Sequence, residues 1–231
     1  MKKLVVLSGA GMSAESGIRT FRDSDGLWEE YRVEDVCTPE AWQRDPETVN
    51  RFYNERRKQL ATARPNAGHV GIARLERYFD VHVITQNVDN LHERAGSTNV
   101  LHLHGELTKV RSERNPGLIY ELEGWELPPG ATAEDGARLR PHIVWFGEAV
   151  PLIENAARII STADIVVVIG TSLSVYPAAG LIHHAPDRAR LFLIDPKIPA
   201  SIRHAPRVEF IEKGASEGVA LLTRALVPHD A

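Results

Sequence analysis
Apolar residues in this chain gather into short, strand-sized runs, and stretches of helical periodicity separate most of them. Leu4 to Leu7 reads as a buried strand that ends in Ser8-Gly9-Ala10-Gly11, with a helical turn beginning at Ser13. A polar stretch punctuated by Pro39 and Pro46 leads to the first convincing helix, Glu47 to Leu60, with Val49, Phe52 and Leu60 inward and Arg51, Arg57 and Lys58 outward. Pro65-Asn66 opens a second helix over Ala67 to Arg77. Val81 to Thr85 is a strand that runs into Gln86-Asn87-Val88-Asp89-Asn90, and a short helix, Leu91 to Ala95, is closed by Gly96. Val100 to Leu103 is a strand ending at His104-Gly105. From Glu106 to Pro141 the pattern dissolves into Gly, Pro and charge, with β-like pieces such as Leu118-Ile119-Tyr120, which reads as a small insertion. Ile143 to Phe146 is a strand and Pro151 to Ser161 a helix; the β-branched run Ile165 to Ile169 is a central parallel strand ending in Gly170-Thr171-Ser172. Helix Ala178 to His184, strands Leu191 to Ile194 and Val208 to Ile211, and helix Ser216 to Leu226 complete the chain.

Strands alternating with helices predict an α/β fold: a Rossmann-like parallel sheet with helices on both faces, plus a small helical and β-ribbon insertion domain. The expected division is a sheet domain over residues 1–27, 67–104 and 143–231, and a small domain over 28–66 and 105–142.

Composition narrows the function. The chain has 231 residues, a net charge of -4 and 43% hydrophobic residues, which gives no reason to expect nucleic acid or an anionic membrane as a partner. The apolar run after Met1-Lys2-Lys3 is too short for a signal peptide, and no run is long enough to span a bilayer. One cysteine, Cys37, makes neither an internal disulfide nor a Cys-rich zinc site, so a reducing cytoplasm is the expected compartment.

Ligands in such sheets sit at the carboxyl ends of the strands. The polar residues there are Gly9-Ala10-Gly11, Gln86-Asn87-Val88-Asp89, His104-Gly105, Gly170-Thr171-Ser172 and Asp195. Gly9, Gly11 and Ala14 fit the spacing G-x-G-x-x-G/A, in which glycines let the backbone approach a diphosphate and N–H groups at a helix start face the anion. An ordinary dehydrogenase would place a second strand and a ribose-binding acid about 20 residues further on. Here the next clear strand is Val81 to Thr85, so a dinucleotide site must be completed differently. His104, at a strand end beside glycine, is a candidate general base. His102 shares its face, and with Glu106 the pattern H-x-H-x-E is open to two further readings, a metal site or a histidine that fills the core.

Five ordered motifs, GAGMSAESGIRTFR with Gly26-Leu27-Trp28, TQNVDNLHERAG, HLHGEL, RPHIVWFGE and GTSLSVYPAAG, resemble those of the sirtuins, NAD-dependent protein-lysine deacylases, through nearly the whole chain. The resemblance implies NAD as cofactor, acyl-lysine proteins as substrates, and free lysine, nicotinamide and an acylated ADP-ribose as products. It implies that Gly9, Ala10, Gly11 and Glu15 line the diphosphate and ribose pocket, and that Phe21 and Arg22 cover the nicotinamide end, Phe21 shielding the ribose carbon from water. Gln86, Asn87 and Asp89 would hold the nicotinamide ribose and carboxamide, with Asn87 and His104 as the catalytic pair and His104 deprotonating a ribose hydroxyl. Gly170, Thr171 and Ser172 would reach phosphate or ribose, Asp195 the adenosine ribose, and Ala215 the adenine side. The segment Val144, Trp145, Phe146, Gly147 and Glu148 would lend its backbone to the substrate peptide. A monomer is expected.

Two departures matter. Most sirtuins carry four zinc cysteines, but Ser112 stands where the first would lie and Leu127 to Arg140 contains none. No zinc is therefore expected; Pro128-Pro129 and packing by Leu118, Leu122, Trp125 and Leu127 are expected to replace it. Tyr53 and Arg56 lie three apart on one helix face, resembling the branch that removes succinyl, malonyl or glutaryl groups, where a guanidinium pairs with the acyl carboxylate and a phenol adds a hydrogen bond. The competing reading is a solvated basic face, since Arg51, Arg57 and Lys58 are neighbours. Three other functions remain open: an NAD hydrolase or ADP-ribosyltransferase in the same pocket, a non-catalytic NAD-binding module, and a metal-dependent oxygenase through His102, His104 and Glu106.

Overall fold
The computed structural model describes residues 1–18, 27–28, 31–171, 176–197 and 207–227. Strand β1 (Lys3–Ser8) leads into the one-turn helix α1 (Gly11–Ala14). A two-strand ribbon, β2 (Leu27–Trp28) and β3 (Tyr31–Arg32), precedes α2 (Val33–Val36), α3 (Pro39–Arg44), α4 (Pro46–Thr62) and α5 (Ala67–Leu75). Next come β4 (Asp80–Thr85), α6 (Leu91–Arg94), β5 (Val100–His102), β6 (Gly105–Ser112), β7 (Ile119–Glu121) and β8 (Leu139–Ile143). The last third holds α7 (Ile153–Ile160), β9 (Ile165–Ile169), a 3-10 helix over Ala178–His184, β10 (Arg190–Ile194), β11 (Val208–Ile211) and α8 (Ala215–Leu226).

The main sheet has six parallel strands in the order β11-β10-β9-β1-β4-β5. Strand period two sends Leu4 and Val6 to one face, where Ile72 and Leu75 of α5 and Val219 and Leu222 of α8 cover them. Val5 and Leu7 go to the other, under Ala156 and Ile160 of α7 and Leu181 of the 3-10 helix. Both faces are buried, so β1 and β9 read as unbroken apolar runs. Glycine in αL and the strand ends converge on one edge of this sheet, which is where the site lies.

A third core joins α2, α3 and α4 to the antiparallel sheet β7-β6-β8: Val36, Trp42, Val49, Phe52, Tyr53 and Leu60 pack with Leu107, Ile143 and Trp145. Pro39 and Pro46 are helix-starting residues, each in the first turn behind Thr38 and Asp45, whose side chains accept from Ala41 N and Thr48 N.

Three local expectations change. β6, eight residues long, crosses the segment whose pattern dissolves; it is the middle strand of a half-buried three-stranded sheet and half of its residues are only partly buried, so its apolar alternation is sparse. The strand expected over Ile143 to Phe146 ends at Ile143, and residues 144–148 form a turn: Gly147 has φ +88°, and Glu148 carboxylate accepts from Trp145 N at 2.8 Å. Arg57 faces inward, not outward; its Nε donates to the Leu107 carbonyl at 2.7 Å and its Nη1 to Asn54 Oδ1 at 2.7 Å, which ties α4 to β6.

At the far end of the small sheet, Ser112 Oγ donates to Asp135 Oδ2 at 2.7 Å and accepts from the backbone N–H groups of Arg114 and Asn115, both at 3.1 Å. Asp135 Oδ1 accepts from Ala137 N at 3.0 Å. This polar knot closes the hairpin. Of the apolar residues expected to do so, Leu127 is buried, while Pro128, Pro129 and Trp125 are exposed and Leu118 and Leu122 only partly covered.

Candidate active site
The turn after β1 lies against the turn after β9. Gly9 N donates to the Ile169 carbonyl at 3.0 Å and Gly11 N to the Gly170 carbonyl at 2.8 Å. A Cβ on Gly9 would stand 2.7 Å from Thr171 Cβ, and one on Gly11 2.8 Å from Gly170 Cα. The glycines are therefore needed for loop-to-loop contact, and those two N–H groups are already used, a role that the diphosphate reading did not foresee. Gln86 Nε2 donates to Thr171 Oγ1 at 3.2 Å, bringing the loops after β4 and β9 together. Glu15 accepts from Ser216 N at 3.1 Å, beside buried Ala215 at the start of α8. Asp195 is buried at the end of β10, where its Oδ1 accepts from Lys197 N at 2.9 Å. Phe21, Arg22 and Ser172 lie outside the described residues.

Beneath this edge runs a buried polar network. Ser13 Oγ donates to Asp89 Oδ2 at 2.9 Å and accepts from Asn87 Nδ2 at 3.1 Å. Asn87 N donates to Thr85 Oγ1 at 3.0 Å, and Asp89 Oδ1 accepts from Leu91 N at 3.1 Å. Burial pushes the Asp89 carboxyl up against the pull of those hydrogen bonds. His69 Nδ1 accepts from Asn66 N at 3.3 Å in the capping box of α5, so its proton sits on Nε2, which reaches Ser13 Oγ at 3.5 Å. His92 meets Ser8 Oγ at 3.1 Å, and its ring lies 4.8 Å from that of His69. Burial drives His69 down to about 4 and His92 well below the usual histidine range, so both are neutral. Sequence reasoning gave Ser13, His69 and His92 no role. Ser13 and His92 sit inside the motifs, so their position was a signal; His69 carries none beyond its place three residues after the cap.

His104 Nδ1 donates to the Gln86 carbonyl at 3.1 Å. That bond fixes the tautomer and leaves the Nε2 lone pair as the basic atom. Burial lowers its pKa, partly offset by this hydrogen bond. Gly105 follows with φ +81°, and a Cβ there would collide with the His142 carbonyl, so only glycine lets the chain turn directly behind His104. His102 points the same way: its Nδ1 faces the Asn87 carbonyl at 3.0 Å and its Nε2 faces Glu93 Oε1 at 2.7 Å. It is thus a bonded group, not core filling. Ligand atoms of Glu93, His102 and Glu106 lie within 4.8 Å of one another, and His104 is not in that group. Lys109 Nζ, 2.8 Å from Glu106, and the His102–Glu93 pair neutralise it internally, which disfavours the metal reading of H-x-H-x-E.

Tyr53 and Arg56 are both buried on one face of α4. Trp145 Nε1 donates to the Tyr53 hydroxyl at 2.9 Å, and Cys37 Sγ lies 3.5 Å from it. Burial pushes the Cys37 thiol up to about 11, so it stays protonated and unreactive. The Arg56 guanidinium lies 4.3 Å over the Phe52 ring and donates to Gln59 Oε1 at 3.3 Å. The solvated-face reading therefore fails for Arg56, though it holds for Arg51 and Lys58, which are exposed. In the 144–148 turn, Val144 N donates to the His104 carbonyl at 2.9 Å and Phe146 N to the Cys37 carbonyl at 3.0 Å. Arg140 lies 3.4 Å over the Trp145 ring and forks onto Glu148, with Nη1 2.7 Å from Oε1 and Nη2 3.1 Å from Oε2. One continuous set of contacts thus joins the turn to Tyr53.

The chain that builds this arrangement is similar to known proteins in sequence and in fold. A model of the Sir2 family matches residues 9–177. An NAD-dependent protein deacylase of Bacteroides thetaiotaomicron is 60% identical over 233 residues, covering 99% of both chains. One from Helicobacter pylori is 53% identical over 216 residues, covering 93% of each. Among solved structures, a mutant Sir2 homologue in complex with ADP-ribose superposes with a TM-score of 0.86 at 40% identity, covering 99% of this chain and 95% of that one. A Sir2 homologue–NAD complex superposes at 0.83 and 40% identity, covering 98% and 91%. With matches of this depth running from the first glycine turn to the C-terminal helix, the chain belongs to the Sir2 family.

Proposed function
We propose that this protein is an NAD-dependent protein deacylase that removes acetyl groups, and also succinyl or malonyl groups, from lysine side chains. The activity is supported by the family and by near full-length relatives that carry that name. The residues present fit the dinucleotide: neutral amides, hydroxyls and one basic imidazole edge converge where five parallel strands end, and the glycine turns admit no side chain there. When bound, NAD would supply the ribose carbon from which nicotinamide departs and the ribose hydroxyl that carries the acyl group away. Gly9, Ala10, Gly11, Glu15, Gly170, Thr171, Asp195 and Ala215 hold its adenosine and phosphate half. Gln86, Asn87 and Asp89 hold the nicotinamide half, with Ser13 fixing the latter two. His104 accepts a ribose hydroxyl proton at Nε2, the nitrogen that its bond to Gln86 leaves basic. The 144–148 turn receives the peptide; because Val144, Trp145, Phe146 and Glu148 already spend their N–H groups internally, it offers carbonyls and the Gly147 N–H.

One observation carries the acyl preference: on a helix rich in surface cations, Arg56 is buried beside Tyr53. A buried guanidinium can take the carboxylate of an anionic acyl group through a bidentate pair. Trp145 donates to the Tyr53 oxygen, and Cys37 Sγ lies 3.5 Å from the same hydroxyl, so Tyr53 is held in one orientation beside Arg56. Arg56→Met is expected to lower kcat/KM on a succinyl-lysine peptide at least about 30-fold, while acetyl-lysine turnover changes less than about three-fold. Equal losses on both peptides would assign the arginine to structure instead.

On the same reading the small domain folds without zinc. Its support is the Ser112–Asp135 knot, which satisfies a hydroxyl, a carboxylate and three backbone N–H groups with no cysteine or histidine among them.

A further inference from the structure
His102 ends β5 and His104 follows in the turn before β6, and they bond consecutive carbonyls of one loop: His104 that of Gln86, His102 that of Asn87. Asn87 is thereby held from every side. Its N–H goes to Thr85 Oγ1, its Nδ2 to Ser13 Oγ, and its carbonyl to His102 Nδ1. His102 is itself anchored through Nε2 on Glu93 of α6, at 2.7 Å. A carbonyl and a carboxylate only accept, so both contacts are satisfied together only by a doubly protonated ring. The charged and titratable groups facing that ring are Glu93 and His92 from α6, Glu106 from β6 with Lys109 bonded to it, and Asp89 from the segment between β4 and α6. Carboxylates outnumber the lysine, which favours the imidazolium even though the ring is buried.

We propose that His102 is a positioning residue for the reaction: as an imidazolium bridging Glu93 to the Asn87 carbonyl, it sets the orientation in which Asn87 meets the nicotinamide half of NAD. This rests on the reading of Asn87 as a cofactor-binding residue given above. Protonation holds the loop in place, so the contribution is present at low and neutral pH and is lost as pH rises through the raised pKa of His102.

Two substitutions separate the two bonds. In His102→Asn the amide nitrogen falls at the place of Nδ1 and keeps the bond to Asn87. In His102→Gln it reaches the place of Nε2 and keeps only the bond to Glu93. Steady-state kinetics at saturating acyl-peptide are expected to show kcat/KM for NAD within about three-fold of the parent for the Asn variant and about ten-fold or more lower for the Gln variant, with KM for the peptide unchanged in both. Glu93→Gln is expected to move the basic limb of the pH profile to lower pH. Equal losses in the two His102 variants, losses that follow their melting temperatures, or an unmoved pH limb in Glu93→Gln would overturn the proposal. Asn87→Ala, measured in parallel, separates the levels. Full turnover there overturns the cofactor reading of Asn87 and this proposal with it; lost turnover there, with His102 variants that do not rank, overturns the proposal alone.

Discussion
His104 shows how one hydrogen bond assigns chemistry. Its Nδ1 is committed to the Gln86 carbonyl, and burial favours the neutral ring. A base that is neutral below the ordinary histidine value of about 6.5 keeps working in mildly acidic solution. The acidic limb of kcat/KM is therefore expected below pH 6.5, and His104→Asn, which can still donate to Gln86, is expected to fold normally and lose roughly 10²-fold or more in turnover. Stopped assays from pH 5 to 8 on both proteins check this; an Asn variant with parental turnover would remove His104 from the chemistry. The place of His104, after a strand and before a glycine, was legible in the sequence. Its neighbour was not: the pattern H-x-H-x-E gives no hint that Glu93, nine residues before His102, is the partner, because only the fold of α6 against β5 brings them within 2.7 Å.

At the scale of elements, strands buried on both faces were read almost to the residue, since β1 and β9 need only unbroken apolar runs. The small sheet was not. Half of the residues of β6 are only partly buried, and its closing contact is polar, so hydrophobic pattern says little about it. Turn chemistry decides there: Ser112 acts as an acceptor for two N–H groups, much as an N-cap serine does. Asp135→Ala is expected to lower the midpoint of urea unfolding, with added zinc or chelator making no difference. Stoichiometric zinc in a tag-free preparation, or unfolding that shifts with chelator, would contradict a metal-free small domain.

For the molecule as a whole, the buried histidines set the pH response. His69, held near 4, and His92, lower than usual, are neutral when folded and return to about 6.5 when the chain unfolds. Between about 6.5 and 4 the unfolded chain binds more protons, so stability is complete above 6.5 and falls as pH drops through that window. Protonating His69 would also break the capping box of α5. His69 alone is expected to cost about 2 kcal/mol between pH 7.5 and pH 5; Asp89, raised by burial, opposes this in part. Urea midpoints at the two pH values test it, and equal midpoints would mean that these rings are solvated. The overall architecture was legible because alternating strands and helices leave few topologies, whereas the network of Ser13, His69 and His92 is buried polar chemistry that no periodicity reports. The most direct test of the function is mass spectrometry of one peptide carrying acetyl-lysine or succinyl-lysine, incubated with the protein with and without NAD. Loss of both acyl groups only with NAD, with nicotinamide and an acylated ADP-ribose formed in step, is the predicted result; unchanged peptides while NAD is still consumed would contradict a deacylase and point to a hydrolase or transferase in the same pocket.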